Sequence, residues 1–148
     1  MPSLHDNIIL SYEVDLENER IRMRTRSSHD VPKNMDVLFS GVMAHSFDTP
    51  LNGSIILDLD EWDIEHFIPY NRELLESGVG QGWPVNYDSY GELQTRLIEE
   101  KYKYMVISSS YGLSGWVLAK NVEISVQETG EQDGRMRTHS MVARVGQD

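Results

Sequence analysis

Residues 11–26 have the sequence SYEVDLENERIRMRTR, and this stretch decides the fold. Polar and apolar residues alternate on both sides of Asn18-Glu19, and a period of two indicates strands with one face toward solvent. Asn tolerates the positive φ that a tight hairpin turn requires. The sequence therefore predicts an antiparallel hairpin with Asn18 and Glu19 as its loop.

A two-residue loop fixes a register that gives both faces of this hairpin a consistent character. Opposite charges face each other on the outer side and apolar residues on the inner side, and each outer pair stabilises the hairpin by roughly 0.2–1 kcal/mol. The predicted pairs are Glu17–Arg20, Asp15–Arg22 and Glu13–Arg24 outside, and Leu16–Ile21, Val14–Met23 and Tyr12–Thr25 inside. Only Arg26, opposite Ser11, lacks a carboxylate, so we interpret the arginine stripe as a charge-paired sheet face.

Two further strands and two helices are predicted after this hairpin. Residues 35–47 are rich in strand formers, and Gly41 inside them indicates a bulge or a close backbone approach. Residues 54–59 form the next predicted strand. From Asp60 onward the apolar spacing becomes helical, with Pro69 as an interruption and Ser77-Gly78 as the end. Ser89 and Glu92 predict a capped second helix.

A closing hairpin is predicted from residues 104–109 and 113–119, turned by Tyr111-Gly112. Its pairs are Ile107–Trp116, Met105–Leu118 and Val106–Val117, so both faces are apolar and the hairpin should be central in the sheet. The predicted order is ββββααββ. This order indicates an α+β fold with a mainly antiparallel sheet and two helices on one face.

Composition bounds the class of protein. The chain has 148 residues, no cysteine, 13 basic and 24 acidic side chains, and a formal charge of −11. We expect one domain over residues 1–126 and a polar C-terminal tail over 127–148 that is mobile or ordered by a partner. No signal segment or membrane span is recognisable, so we expect a cytoplasmic protein. The negative charge argues against nucleic acid as a ligand and favours a basic protein partner.

No catalytic or metal-binding motif stands out. The five histidines form no H-E-x-x-H pair, the serines of residues 108–110 lack a nucleophile elbow, and the glycines of residues 78–82 lack the context of a phosphate loop. We therefore expect no metal, no cofactor and no catalysis. One alternative stays open, in which His45 and the turn residues Ser108, Ser110 and Tyr111 line a ligand or catalytic site.

The densest cluster of acidic residues surrounds a tryptophan. It comprises Asp60, Glu61, Trp62, Asp63 and Glu65. One interpretation is a solvated helix start, where the helix dipole favours acids. The other is a docking patch for a basic partner, with Trp62 as an interface anchor.

The segments 41–47 (GVMAHSF) and 109–116 (SSYGLSGW) carry a resemblance. They resemble a family of small, uncharacterised bacterial proteins, some of the kind found beside polymorphic toxins. The resemblance covers residues 8–124 and consists of core and turn residues, so it transfers no catalytic residue. It implies a protein-binding function such as an immunity-type inhibitor of a bacterial toxin. A third hypothesis is a structural homodimer in which the tail from Arg135 is exchanged between subunits.

Overall fold

The computed structural model of the chain describes residues 3–28, 30–129 and 138–145. These residues form a sheet-dominated α+β fold in which a helical segment separates two groups of strands. The strands are β1 (Ile8–Asp15), β2 (Arg20–Arg26), β3 (Asn34–Ser40), β4 (Ala44–Asp48), β5 (Ile55–Trp62), β6 (Lys103–Tyr111), β7 (Ser114–Ala119), β8 (Asn121–Thr129) and β9 (Thr138–Val145). The α-helices are α1 (Phe67–Tyr70), α2 (Arg72–Gly78) and α3 (Tyr90–Glu99), and Ile64–His66 and Val79–Gln81 are 3₁₀ turns.

The described strands pair antiparallel in the order β4-β7-β6-β5-β1-β2-β3-β8-β9. The antiparallel α+β class is thus confirmed. The predicted order ββββααββ is too short at both ends, since five strands precede the helices and four follow them. Residues 35–47 were expected to be one strand, but they divide into the end of β3 and most of β4.

The β1–β2 hairpin is confirmed, but its predicted register is wrong by two residues. Asp15 lies opposite Arg20, Glu13 opposite Arg22, and Ser11 opposite Arg24. The turn has four residues because both carboxylate oxygens of Asp15 accept hydrogen bonds from Asn18, at 3.1 and 2.9 Å. Leu16 is consequently 82% exposed in the turn instead of packing inside. Because side chains alternate between faces with a period of two, a shift of two residues leaves the remaining side chains of both strands on their predicted faces.

Two bent stretches of chain, residues 34–48 and 114–129, hold the sheet together. They pair antiparallel on both sides of a bend, as β3 with β8 and as β4 with β7. At the bend the Lys120 amide donates to the carbonyl oxygens of Ser40 and Gly41, with nitrogen–oxygen distances of 3.0 and 3.2 Å. Gly41 has a φ of +63°, and a Cβ at this position would lie 2.9 Å from the Lys120 Cβ. The bend therefore requires glycine, and it turns both stretches from one half of the sheet into the other.

The two halves, β4-β7-β6-β5 and β1-β2-β3-β8-β9, enclose the main core between their inner faces. Strands that pass from one half to the other make the corner of such a packing. Fully buried side chains from both halves meet there. They include Ile21, Met23, Val37, Phe39, Ile56, Met105, Ile107, Val117, Val122 and Ile124.

The helical segment covers the opposite face of β4, β6 and β7. Phe67, Leu75, Leu93 and Leu97 form a second core with strand side chains, of which Trp116 is the largest. The first predicted helix starts later than expected, since β5 continues to Trp62, and it is divided into short pieces. The Ser89 cap is confirmed, because the Ser89 hydroxyl oxygen accepts a hydrogen bond from the Glu92 amide at 3.1 Å.

The closing hairpin β6–β7 is covered on both faces, as predicted, but its register is wrong by one residue. Met105 lies opposite Val117 and Val106 opposite Trp116. The loop between β6 and β7 differs from the predicted Tyr111-Gly112 turn because Leu113 is buried, at 1% exposure, and its amide donates to the Ser54 hydroxyl at 2.9 Å. Trp116 and Leu118 thus face the helices, and Val117 and Ala119 face the main core.

The expected tail includes two stretches of strand. β8 runs from Asn121 to Thr129, so the predicted boundary at residue 127 falls inside it. β9 pairs antiparallel with β8 of the same chain, from Val122–Val145 to Thr129–Thr138. Arg135, where the exchanged tail was expected to begin, lies outside the described residues.

Gly115 supplies a test of the β4–β7 pairing. It has a φ of +154°, and a Cβ there would lie 2.0 Å from the Ser46 carbonyl oxygen. We expect Gly115→Ala to lower the free energy of unfolding by at least about 2 kcal/mol, since backbone must move to admit the methyl group. Urea denaturation measures the loss.

Gly91→Ala is the matched control. The nearest atom to its added Cβ is the Ser89 hydroxyl oxygen at 3.9 Å, and Gly91 lies in α3. Alanine favours helix over glycine by up to about 1 kcal/mol, so this variant should be more stable. Equal effects of the two substitutions would contradict the close approach of β4 and β7.

Candidate functional site

The predicted acidic patch lies where β5 ends and the helical segment begins. Asp60, Glu61 and Trp62 are the last residues of β5, opposite Val106, Met105 and Tyr104. The interpretation of Asp60 and Glu61 as a helix start is therefore wrong, and a helix dipole does not account for them. Only Asp63 caps a helical turn, because its Oδ1 accepts a hydrogen bond from the Glu65 amide at 3.0 Å.

The side chains of the patch do not all share one face. Register places Asp60 and Trp62 on the helix-covered face of the sheet, together with Val106 and Tyr104. Glu61 lies opposite Met105, whose side chain belongs to the main core, so it points to the other face. All five predicted patch residues are exposed.

Trp62 belongs to an aromatic cluster that is partly open to solvent. Trp62 is 38% exposed, and its ring meets Tyr70 and Tyr104 edge-on, with centroids 5.8 and 5.9 Å away. His66 stacks on Tyr70 at 5.1 Å with an interplanar angle of 7°. Edge-to-face pairs of this kind contribute about 0.5–1.5 kcal/mol beyond the area they bury. The Trp62 ring is thus held in place while much of it faces water.

Tyr104 is the buried base of this cluster. It is 3% exposed, and its hydroxyl oxygen accepts a hydrogen bond from the Asn71 side-chain amide at 3.2 Å. The same amide nitrogen donates to the Phe67 carbonyl oxygen at 2.8 Å, which ties α1 to the sheet. Burial raises the pKa of the Tyr104 hydroxyl, so this group remains a neutral hydrogen-bonding partner near pH 7.

We call the exposed part of this region the acid–aromatic surface, and it consists of Asp60, Trp62, Asp63, Glu65, His66 and Tyr70. The ion pairs of the described residues are His5–Asp6, Arg22–Asp36 and Arg96–Glu100, and none includes a carboxylate of this surface. Its three carboxylates therefore form no ion pair with the described residues. Such charges keep their field for an approaching molecule.

Two members of the surface, His66 and Tyr70, were missed from the sequence. The available signal was spacing, because Trp62, His66 and Tyr70 follow one another at intervals of four residues. Intervals of four bring side chains together on a helix. The predicted helix from Asp60 onward would place all three on one face, whereas in the structure Trp62 lies on β5 and the helical segment starts after it.

Ser108–Tyr111 were expected in a turn, but they form the end of β6, and the sheet places them apart from His45. His45 lies opposite Val117 on β4, and Val117 lies opposite Met105 on β6. Two strand spacings of about 4.8 Å and three residues of about 3.4 Å separate His45 from Ser108 by about 14 Å. Strand alternation also directs Ser108 to the other face of the sheet.

The turn residues have local roles. The Ser109 hydroxyl donates to the Gly112 carbonyl oxygen at 3.1 Å, as expected of hairpin chemistry. Ser110 and Tyr111 are exposed. The second hypothesis therefore lacks the shared cleft that motivated it.

His45 itself lines a cavity of about 150 Å³ together with Val14, Asp15 and Ile21. The ring is half-buried beside Phe47, with centroids 5.2 Å apart. Burial lowers the pKa of His45, because the charged ring loses hydration. His45 is thus neutral at pH 7 and contacts an aromatic side chain.

A larger cavity, of about 430 Å³, lies on the outer face of β1, β2, β3 and β8. Asp36 at its floor is 6% exposed and binds Arg22, whose Nε and Nη2 donate to one carboxylate oxygen at 3.0 and 2.7 Å. Arg22 was predicted to pair with Asp15, so this partner is a correction. It follows from the shifted register and from the position of β3 beside β2.

No group of three or more histidine, aspartate or glutamate side chains in the described part of the chain is arranged to hold a metal ion. None of the helices in the described residues is long and apolar enough to cross a membrane. Comparison of the chain with protein-family models, with curated proteins and with solved structures found no match. The resemblance to immunity-like bacterial proteins therefore stays a prediction.

Titration of the two perturbed histidines tests their surroundings. The His5 Nδ1 lies 2.7 Å from the Leu57 carbonyl oxygen, and this hydrogen bond, with Asp6 nearby, raises the pKa of His5. His45 has a lowered pKa. As the pH falls, ring-proton NMR shifts should therefore show protonation of His5 before His45, and the reverse order would contradict the structure.

The two histidines should have opposite effects on stability. The stabilisation of the folded state by His5 is fully present below the unfolded-state pKa, near 6.5. It is lost as the pH rises through the raised folded-state pKa. For His45, stability is full while the ring is neutral. It declines as the pH falls from about 6.5 through the lowered folded-state pKa.

Arg22→Ala tests the ion pair below the outer cavity. It removes both charge-assisted donors from buried Asp36, and we expect a loss of about 1–2 kcal/mol in the free energy of unfolding. Arg24 lies directly opposite Asp36 in the register but forms no hydrogen bond or ion pair with it in the described structure. Arg24→Ala should therefore change stability by at most about 0.5 kcal/mol, measured by urea denaturation.

Proposed function

We propose that the protein acts without catalysis and binds a basic protein partner through the acid–aromatic surface. The observation that supports this most strongly is Trp62, a residue that stays 38% exposed while two edge-on aromatic contacts hold its ring. The nearby carboxylates form no ion pair with the described residues. Tryptophan and tyrosine are enriched among the residues that dominate binding energy at interfaces. Their rings lose little conformational freedom on binding when they are already held in place.

The charge of the surface and of the whole chain favours a basic partner. Asp60, Asp63 and Glu65 are exposed and lie within three residues of Trp62 in the sequence, and the formal charge of the chain is −11. A field of this sign speeds the approach of a positively charged protein and is weakened by salt. An arginine or lysine of the partner can also bind over the face of Trp62 or Tyr70.

The concrete form of this proposal is an immunity-type inhibitor of a bacterial toxin. It is supported by the acidic surface and by the resemblance carried by residues 41–47 and 109–116. An inhibitor of this kind needs a rigid surface complementary to a basic target and no reactive group of its own. The bound target should therefore be a basic protein that loses its activity in the complex.

Affinity capture tests the proposal directly. The tagged protein is incubated with lysate of its own organism at low and at high salt, and bound proteins are identified by mass spectrometry. We expect one basic partner that is captured at low salt and lost at high salt. Absence of a partner under both conditions would contradict the proposal.

Charge reversal at two neighbouring carboxylates tests whether the partner binds the acid–aromatic surface. Asp60→Lys should slow association with the captured partner about tenfold and flatten its salt dependence, because it reverses a charge beside Trp62. Glu61→Lys is the matched control, since it changes the net charge equally from the next position on the opposite face. Stopped-flow or surface-plasmon measurements give both rates, and equal effects would contradict the assignment.

Trp62→Ala separates the aromatic contribution from the electrostatic one. We expect faster dissociation by about thirtyfold or more, equivalent to at least about 2 kcal/mol, with nearly unchanged salt dependence. Asp63 is left unaltered in these variants because it caps the turn at Ile64–His66. An unchanged dissociation rate would exclude Trp62 as an anchor.

A further inference from the structure

β1 loses its partner on one side soon after it begins. On that side it pairs with β5 only at Ile8–Ile55, and the last backbone hydrogen bond runs from the Ile9 amide to the Ser54 carbonyl oxygen, at 2.8 Å. Among the described residues, no backbone hydrogen bond joins residues 10–16 to residues 42–53. The chain before β5 turns away instead, into the 49–53 loop and β4. A free strand edge therefore runs from Leu10 to Asp15.

Side chains line the seam that this divergence leaves. A groove of about 260 Å³ lies between residues 9–12 of β1 and residues 50–54, with Leu113 at its base. Leu10, Tyr12 and Leu51 are 42%, 37% and 48% exposed. No charged residue lines the groove. Partly exposed apolar side chains beside a free strand edge are the elements of a site that accepts an added strand.

The far end of the seam is held by ring contacts. Tyr12 meets Phe47 edge-on, with centroids 5.1 Å apart. Beyond this contact the cavity beside His45 continues between β1 and β4, lined by Val14 and Leu16 among others. The seam is thus bridged by side chains, and no strand pairing of the described residues crosses it beyond Ile8–Ile55.

The charged side chains along the seam indicate which charge a bound segment should carry. Of the residues that line its far end, Asp15 and Glu19 are acidic and Arg20 is basic. Glu13, the other carboxylate of this part of β1, lies opposite Arg22, whose guanidinium is bound to Asp36. Acids therefore outnumber bases among these groups, and the whole chain carries a formal charge of −11. A segment with basic side chains flanking apolar ones is complementary to this arrangement.

We propose that the edge of β1 from Leu10 to Asp15 binds an extended, basic segment of another protein as an additional strand. Main-chain hydrogen bonds to β1 would hold the segment, an apolar side chain would occupy the groove between Leu10 and Leu51, and lysine or arginine would face the carboxylates. A second copy of this chain is a poorer occupant. A second copy carries the same formal charge of −11, so the two copies would repel each other. The inference does not rest on the acid–aromatic surface.

The test uses the full chain and a synthetic nine-residue peptide of alternating valine and lysine. We expect slower amide hydrogen exchange at residues 10–15, by at least tenfold, when the peptide saturates the protein. The same peptide with alternate amides N-methylated keeps its charge and loses donors along one edge, so it should bind at least tenfold more weakly. Binding that survives N-methylation would reflect charge alone and would overturn the proposal.

Variants of the groove provide the second arm. Leu10→Lys combined with Leu51→Lys should weaken peptide binding at least tenfold, because it places charge in the apolar groove. Val31→Lys is the control, since Val31 is 73% exposed in the loop after β2 and lies outside the groove. It should change binding less than twofold, and equal losses would overturn the proposal. Amide NMR spectra of both variants establish that they are folded.

Two further outcomes would also overturn the proposal. One is protection confined to β9, the end strand beside β8 in the described sheet, which would assign strand addition to that strand instead of β1. The other is a concentration-dependent dimer, measured by sedimentation, whose formation protects residues 10–15 without peptide. Asp60→Lys should leave peptide binding at this edge within twofold, so failure here is distinguishable from failure of the acid–aromatic surface.

Discussion

The pairing of residues 34–48 with residues 114–129 through a common bend is the constraint on which the rest of the structure depends. It makes β3–β8 and β4–β7 two parts of one ladder. Because the ladder turns at Gly41 and Lys120, the strands attached to each part become separate layers with their apolar faces together. A flat sheet with the same pairs would leave that face exposed. The hydrophobic stabilisation of the main core therefore depends on a backbone conformation that only glycine adopts easily.

The bend also determines where a binding surface can form. It leaves one face of β4, β6 and β7 uncovered, and the helical segment between β5 and β6 packs on that face. Because β5 continues to Trp62 before the chain turns into this segment, Trp62 meets Tyr104 below it and Tyr70 beside it. The same bend carries β4 away from β5 toward β7, so β1 is left without a partner beyond Ile9.

Local pattern predicted both hairpins but neither register. Alternation around Asn18 correctly predicted which side chains share a face, as buried Ile21 and Met23 show. In the β6–β7 hairpin the register differs by one residue, so Val117 shares a face with Met105 and not with Val106 as predicted. The register depends on contacts that spacing does not contain, namely the Asp15 carboxylate on Asn18 and the Leu113 amide on Ser54. The acidic cluster could be found from composition. Its aromatic partners could not, because Tyr104 is distant in sequence and approaches only through the β5–β6 ladder.

The distribution of charge argues that the acidic excess is more than a means of staying soluble. Arg20 and Arg22 face carboxylates across the hairpin, and Arg22 is bound to buried Asp36. By contrast, the carboxylates of the acid–aromatic surface belong to none of the ion pairs found among the described residues. Solubility alone would be served by charge over any exposed surface and would not require a fixed tryptophan ring among the acids. Partial exposure of Trp62 leaves apolar area in water, and binding of a partner would recover that free energy.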